Sequence, residues 1–115
     1  MIAIQNFDSA EVRTFPHGQF EICEVGGHSI GRARYQPGWR WSRDVGPRAG
    51  TDLCQASHVG VVLAGKAAVR MADGHEFALR AGDVFIIPGG HDSWVIGHEP
   101  YVSIHLANTG GQAAH

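Results

Sequence analysis

Three side chains that can bind a metal ion lie close together in the middle of the sequence: Asp52, Cys54 and His58. A carboxylate, a thiolate and an imidazole are all competent ligands, and a mixed sulfur and nitrogen set favours zinc or another late first-row metal. Such a metal could activate water, polarise a carbonyl group or bind oxygen. The alternative is structural, because cysteine is often a small buried hydrophobic residue and histidine is often hydrogen-bonded inside a core.

The residues around these three side chains alternate as in a β-strand, and the pattern predicts a strand over residues 53–63. Successive side chains of a strand point to opposite faces. We therefore expect Asp52, Cys54 and His58 to share one face. The opposite face is expected to be apolar, with Leu53, Val59, Val61 and Leu63.

Sixteen glycines and five prolines interrupt the 115-residue chain every few residues, which leaves no window for a long amphipathic helix. The predicted strands cover residues 20–25, 29–35, 39–42, 53–63, 66–71, 76–79, 83–87, 94–96 and 101–106. Many short strands separated by regular turns are typical of an antiparallel barrel or sandwich. The sequence therefore predicts an all-β fold.

Length and charge restrict the class of protein. A chain of 115 residues fits a single domain, and a formal net charge of −2 gives no general attraction to nucleic acid or to an anionic membrane. No apolar run approaches the roughly 20 residues of a membrane span, and the first residues do not resemble a signal peptide. We expect a cytoplasmic protein with Cys23 and Cys54 as free thiols and with no nucleic-acid or membrane partner.

The spacing of the candidate ligands resembles the first motif of the cupin superfamily. In that motif a glycine is followed after five residues by His-x-His, after three or four more by Glu, and after six more by Gly. Here Gly46, Asp52, Cys54, His58 and Gly65 reproduce every interval, although all three ligand types differ.

The second cupin motif is Gly, five residues, Pro-x-Gly, two residues and His. Gly82, Pro88 and Gly90 fit it, but Ser93 stands at the histidine position and His91 lies two residues earlier. The stretch "IPGGHDSWVIGHEP" is similar to small cupins whose second motif reads Pro-Pro-Gly-His-Asp-Ala-Trp. In that subgroup the histidine at the position of His91 would replace the usual one.

The resemblance implies a single cupin domain over residues 1–115, with the first motif at about 46–65 and the second at about 82–94. It implies a jelly-roll-like antiparallel β-barrel in which both motifs face one pocket. It also implies a divalent metal, zinc being favoured. Its ligands would be Cys54 and His58, with His91 as the third and Asp52 as an optional fourth. His98 and His105 remain alternatives for completing the site.

Five further residues are candidates for contact with a small molecule. A predicted strand at 39–42 places Trp39 and Trp41 on one face and Arg40 on the other, and Trp94 is a third candidate wall. Arg40 and Arg48 belong to a basic cluster before the first motif, and a guanidinium group suits a carboxylate. The alternatives are core packing for the tryptophans and solvation for the arginines.

Fold alone selects no reaction, because cupins include dioxygenases, isomerases, decarboxylases, storage proteins and ligand sensors. We expect a metal-dependent enzyme acting on a small, carboxylate-bearing molecule. The alternative is a non-catalytic module that binds or senses a small molecule. The apolar face opposite the ligands also predicts a homodimer, in which a second copy would cover Leu53, Val59, Val61 and Leu63.

Overall fold

The computed structural model describes residues 1–106, and antiparallel strands make up most of this part of the chain. In chain order the elements are a 3-10 helix at Phe7–Ser9, β1 at Glu11–Phe15, β2 at Gly18–Val25, β3 at His28–Tyr35, α1 at Trp41–Asp44, α2 at Gly46–Ala49, β4 at His58–Ala64, β5 at Lys66–Met71, β6 at Glu76–Arg80, β7 at Val84–Ile87, β8 at His91–Ile96 and β9 at Tyr101–Leu106. No helix within residues 1–106 has the length and hydrophobicity of a membrane-spanning helix.

The strands form two sheets. The larger has six strands in the order β1-β2-β3-β9-β4-β7, and the smaller has three in the order β6-β5-β8. All pairs are antiparallel, which confirms the predicted all-β class. Among residues 1–106, hydrogen bonds do not close the two sheets into one barrel.

The hydrophobic core lies between the two sheets. Phe20 and Val62 of the larger sheet pack in one cluster with Ala67 and Val95 of the smaller. The connection between β3 and β4 completes the cluster with four further side chains, those of Trp39, Trp41, Val45 and Cys54. The candidate site residues of this connection are therefore part of the core.

The predicted strand at 39–42 is wrong, because the chain turns into α1 at Trp41. The backbone N–H of Arg40 donates to the Asp44 carboxylate over 3.0 Å, and the N–H of Asp44 donates back to the Arg40 carbonyl oxygen over 2.9 Å. These bonds close a helical turn of four residues, too short to produce a visible helical period in the sequence.

The predicted strand at 53–63 is only partly correct. Strand β4 begins at His58, and the segment before it is irregular apart from an isolated bridge between Cys54 and His91. Strand β8 begins at His91, three positions before the predicted start at residue 94. Strand β1 was not predicted. The face-by-face alternation inferred for residues 52–58 therefore does not apply.

Two glycines allow the close packing around the first motif. A Cβ atom at Gly60 would collide with the carbonyl oxygen of Ile104 in β9, and one at Gly89 would collide with the carbonyl oxygen of Gln55. Only glycine fits where backbones approach this closely. The contact at Gly89 brings the chain beside Cys54 against the start of β8.

Candidate metal centre

Cys54, His58 and His91 converge in the interior. One possible ligand atom from each lies within 4.8 Å of the other two, and the three residues are 1%, 6% and 3% exposed. The Cys54 Sγ atom is 3.4 Å from Nε2 of His58. A sulfur and a nitrogen bound to one tetrahedral zinc ion would be about 3.6 Å apart, given bonds of about 2.3 and 2.1 Å. The donors are thus spaced for a single ion.

The main chain sets the distance between two of these residues. The N–H of Cys54 donates to the carbonyl oxygen of His91 over 2.7 Å, and the N–H of His91 donates to that of Cys54 over 3.2 Å. Gly90 adds a third bond, from its N–H to the Cys54 carbonyl oxygen, of 2.7 Å. His58 enters as the first residue of β4, where it pairs with Ile87. The two motifs are therefore joined by backbone hydrogen bonds.

A hydrogen bond with Pro88 fixes which ring nitrogen of His91 carries the proton. The Nδ1 atom lies 2.7 Å from the carbonyl oxygen of Pro88, which can only accept, so Nδ1 carries the proton and donates. Burial lowers the pKa of His91, so the ring is neutral near pH 7 and its Nε2 atom has a free lone pair. A histidine ligand of a metal is usually fixed in this way by a carbonyl on its other nitrogen.

The Cys54 thiol is held in its neutral form. Burial raises the pKa of Cys54, against a smaller opposing effect of a backbone hydrogen bond from Ala56. A thiol in this state is an unreactive nucleophile, since the thiolate is the attacking form. A bound cation would displace the proton and take the thiolate as its ligand. The raised pKa therefore argues against Cys54 as a catalytic nucleophile.

Asp52 does not join the group. Its side chain is exposed, and it is absent from the convergent set of ligand atoms within residues 1–106. The expected shared face with Cys54 and His58 depended on a continuous strand, and that strand begins only at His58. The prediction of Asp52 as a fourth ligand is corrected on this ground.

Of the remaining histidines, His105 lies beside the group and His98 does not. His105 is buried, with its ring 5.2 Å from the ring of His58, and its Nε2 atom is 2.8 Å from Ser103 Oγ. It packs against the ligands without being one of the convergent three. His98 is exposed in the turn before β9.

A small cavity adjoins the two histidines. Its volume is about 40 Å³, and its walls include His58, His91, Trp39 and Trp41. One water molecule needs about 10–15 Å³ of such space, so the cavity has room for about three waters, or a few heavy atoms. Trp39 and Trp41, expected as pocket walls, are placed here although the strand that was to position them does not form.

Two tyrosines that line the cavity were not predicted. Tyr35 and Tyr101 pair across β3 and β9, and both line the cavity. The rings of Tyr35 and Trp39 stack with centroids 3.8 Å apart. Burial raises the pKa of Tyr35 well above its ordinary value and that of Tyr101 to about 12, so both phenols are neutral. The strands at 29–35 and 101–106 were predicted correctly. Their alternation places each tyrosine on the buried face of its strand, and this pattern could have identified both residues from the sequence.

Trp94, Arg40 and Arg48 lie outside this cavity, contrary to expectation. Alternation along β8 points His91 and Ser93 inward, so Trp94 points outward. The Arg40 guanidinium lies 4.3 Å from the centre of the Trp94 ring. Arg48 Nη1 donates to the carbonyl oxygen of Thr14 over 2.9 Å. Neither arginine is placed to bind a ligand in the cavity.

Asp92 fastens the segment that carries Trp41 to β8. Its carboxylate accepts from the backbone N–H of Ser42 over 2.9 Å, from the Ser42 hydroxyl over 2.8 Å and from Arg40 Nη1 over 3.1 Å. Since Asp92 follows His91 directly, these bonds hold α1 beside the candidate ligand. Arg40 thus has a structural role in which its charge is paired.

No protein-family model and no curated protein matches the sequence. Solved structures do match. A cupin-2 domain from Rhodospirillum rubrum has a TM-score of 0.65 and 13% identity over 95% of this chain and 76% of that chain. A mutant oxalate decarboxylase from Bacillus subtilis has a TM-score of 0.64 and 22% identity over 95% of this chain but 29% of its own.

A third match is a sugar phosphate isomerase of the cupin superfamily from Silicibacter pomeroyi. It has a TM-score of 0.62 and 15% identity over 88% of this chain and 72% of that chain. These matches, together with the antiparallel strands described above, show the fold. The chain has the cupin fold.

Proposed function

We propose that this protein binds one divalent metal ion through Cys54, His58 and His91. The observation that carries the proposal is the convergence of three buried donor atoms within 4.8 Å. Zinc is favoured, because a thiolate with two imidazoles matches its usual ligands, whereas calcium and magnesium prefer oxygen. Three protein ligands leave a fourth position of a tetrahedral ion for a small molecule.

The surrounding residues suit a reactive site. His91 is fixed in one tautomer by Pro88, and the aromatic side chains of Tyr35, Trp39 and Trp41 limit the water that reaches the ligands. A divalent metal held here would supply Lewis acidity toward a water or a substrate oxygen. We therefore propose a metal-dependent enzyme that acts on a small molecule. Two matched structures, an oxalate decarboxylase and a sugar phosphate isomerase, are enzymes whose substrates carry several oxygen atoms.

The second candidate function is binding without catalysis. It is favoured by the cavity volume of about 40 Å³, which leaves little room for a substrate and a reacting group together. The two functions differ in a simple measurement. Incubation of the metal-loaded protein with a mixture of small acids and sugars, followed by mass spectrometry, shows either a changed compound or an unchanged one retained by the protein.

Elemental analysis of protein purified without chelators tests the metal proposal. We expect about one zinc or other late first-row metal per chain, or uptake of one on titration of metal-free protein. Binding should also raise the free energy of unfolding by about 4 kcal/mol when free metal is a thousandfold above Kd. Protein that contains no metal and takes up none would contradict the proposal.

We also propose that two copies pair through the outer face of the larger sheet. Val84 and Ile86 of β7 are 80% and 79% exposed, and Leu63 and Leu106 on neighbouring strands are about half exposed. Strand pairing sets Val59 beside both Ile86 and Leu106, so the apolar side chains are contiguous. A second copy would cover this face in a symmetric contact. Leu53, expected in the same patch, lies outside β4.

A reducing compartment suits this site, and we propose the cytoplasm. Cys23 and Cys54 are both free thiols in the structure. Reduced cysteine is the form from which a metal can take a thiolate ligand.

A further inference from the structure

Two buried hydrogen-bond donors at the cavity have no acceptor. Within residues 1–106, the indole N–H groups of Trp39 and Trp41 are buried and make no hydrogen bond. The two residues are 3% and 4% exposed, and both line the cavity beside His58 and His91. A buried indole N–H usually finds a partner, because leaving it unpaired after removing it from water is costly. Both unpaired donors belong to side chains that line this one cavity, which is therefore where an acceptor for them would be placed.

Contacts with neighbouring residues hold the indole rings of Trp39 and Trp41 in their buried positions. Trp39 stacks on Tyr35 with an angle of 9° between the ring planes, and its carbonyl oxygen accepts from the N–H of Val95 over 3.1 Å. Trp41 opens α1, which Asp92 holds against β8. Neither indole is therefore free to turn toward solvent in search of an acceptor.

The other polar groups at the cavity define what it would accept. The polar residues that line it besides the tryptophans are Tyr35, Tyr101, Ser93 and the two histidines, and no Arg, Lys, Asp or Glu of the described chain lines it. Recognition thus depends on neutral donors, which suit oxygen acceptors. A divalent ion with one thiolate and two neutral imidazoles carries a net charge of +1, which a single negative charge on the occupant would neutralise. The volume restricts the occupant to a few heavy atoms.

We propose that the indole N–H groups of Trp39 and Trp41 form an oxygen-binding subsite that holds the carboxylate of a small monocarboxylic acid in the cavity. The charge argument rests on the proposed metal site, whereas the two unpaired donors do not. The subsite replaces the arginines that the sequence suggested for this purpose, since Arg40 and Arg48 are engaged elsewhere.

The test observes each indole directly. Zinc-loaded protein labelled with ¹⁵N gives three indole N–H signals, one for each tryptophan, and formate and then acetate are added. We expect the signals of Trp39 and Trp41 to shift saturably and that of Trp94, which lies outside the cavity, to stay in place. If zinc is bound and neither cavity signal moves, the inference is wrong while the metal proposal stands.

The same titration without metal separates the two proposals. If the protein binds no zinc, the metal proposal fails, and formate is added to the metal-free protein. A saturable shift of the Trp39 and Trp41 signals then supports the subsite by itself. Unmoved signals overturn it, and would mean that water alone satisfies these donors.

Three substitutions complete the experiment. Trp39→Phe and Trp41→Phe each remove one N–H group and keep an aromatic ring, and they assign the two signals. We expect each to weaken formate binding at least tenfold and to leave zinc affinity within about twofold of wild type. Trp94→Phe is the matched control and should change neither. Unchanged formate affinity in both cavity variants would overturn the subsite; if a variant fails to fold, the wild-type titration still decides.

Discussion

Replacing Cys54 by serine should abolish tight metal binding while leaving the fold intact. The thiol is 1% exposed and 3.4 Å from His58 Nε2, so it is one of only three donors available to an ion in this group. Structural zinc binding amounts to about 10–16 kcal/mol over four ligands, or about 2.5–4 kcal/mol for each. Losing one thiolate should therefore weaken binding by about a hundredfold or more. A hydroxyl is nearly isosteric with the thiol but a poor ligand for zinc.

The assay is a titration of metal-free protein with zinc, and with cobalt(II) as a spectroscopic substitute, at one pH and ionic strength. Cys23→Ser is the matched control, because Cys23 is also a buried free cysteine but lies in β2 outside the convergent group. His58→Ala and His91→Ala should lose affinity as Cys54→Ser does. His75→Ala should not, since His75 is exposed in the β5–β6 hairpin.

Two results would refute this reasoning. One is a Cys54→Ser variant with wild-type zinc affinity, which would show that the thiol is core packing only. The other is equal loss of affinity in Cys54→Ser and Cys23→Ser, which would indicate a general loss of structure. Thermal unfolding of the metal-free variants identifies the second case. Without a general loss of structure, the Cys54→Ser variant should unfold within a few degrees of wild type.

Three further predictions concern the fold and its assembly. Gly60→Ala should lower the free energy of unfolding by about 1–3 kcal/mol or more in urea titrations, because its Cβ would meet the Ile104 carbonyl oxygen; wild-type stability would contradict this strand contact. Arg32 lowers the pKa of Glu21 below its ordinary 4.5 through hydrogen bonds of 2.9 and 3.0 Å. Glu21→Gln should therefore lower the free energy of unfolding by about 1.5–3 kcal/mol at pH 7. The difference from wild type should diminish as the pH falls below 4.5 through the folded-state pKa, and a difference that does not diminish in acid would refute the assignment. Ile86→Lys should convert the proposed dimer to a monomer in light scattering. A wild-type protein that is already monomeric at tens of micromolar would contradict the dimer proposal.

The sequence predicted the fold and part of the candidate site because both are encoded in intervals. The spacings from Gly46 to Gly65 and from Gly82 to Gly90 resemble the intervals of the two cupin motifs, although the ligand types differ. The intervals of the first motif selected Cys54 and His58, and the similarity of the second motif to Pro-Pro-Gly-His-Asp-Ala-Trp selected His91. The structure brings these three residues together. The identity of the metal and the reaction does not follow from spacing, because the donor types differ from the usual set.

The parts that could not be predicted depend on contacts distant in sequence. Arg40 is paired with Asp92, and this contact turns a basic residue next to the motif into a structural one. Asp52 does not join the candidate ligands, because the residues on both sides of it pair with no strand. The alternation of residue types in the sequence does not show whether a segment has a strand partner. The four-residue helices α1 and α2 are shorter than any window in which a helical period can be read.

The hydrogen bonds between the main chains at Cys54 and His91 have an evolutionary consequence. Because peptide groups hold these two positions together, either side chain can change without moving the other. A Cys54→His replacement would give an all-nitrogen donor set, which suits copper, nickel or iron as well as zinc. The preference of the proposed metal site can thus be altered by a substitution at one donor position while the backbone hydrogen bonds that join the two motifs are kept.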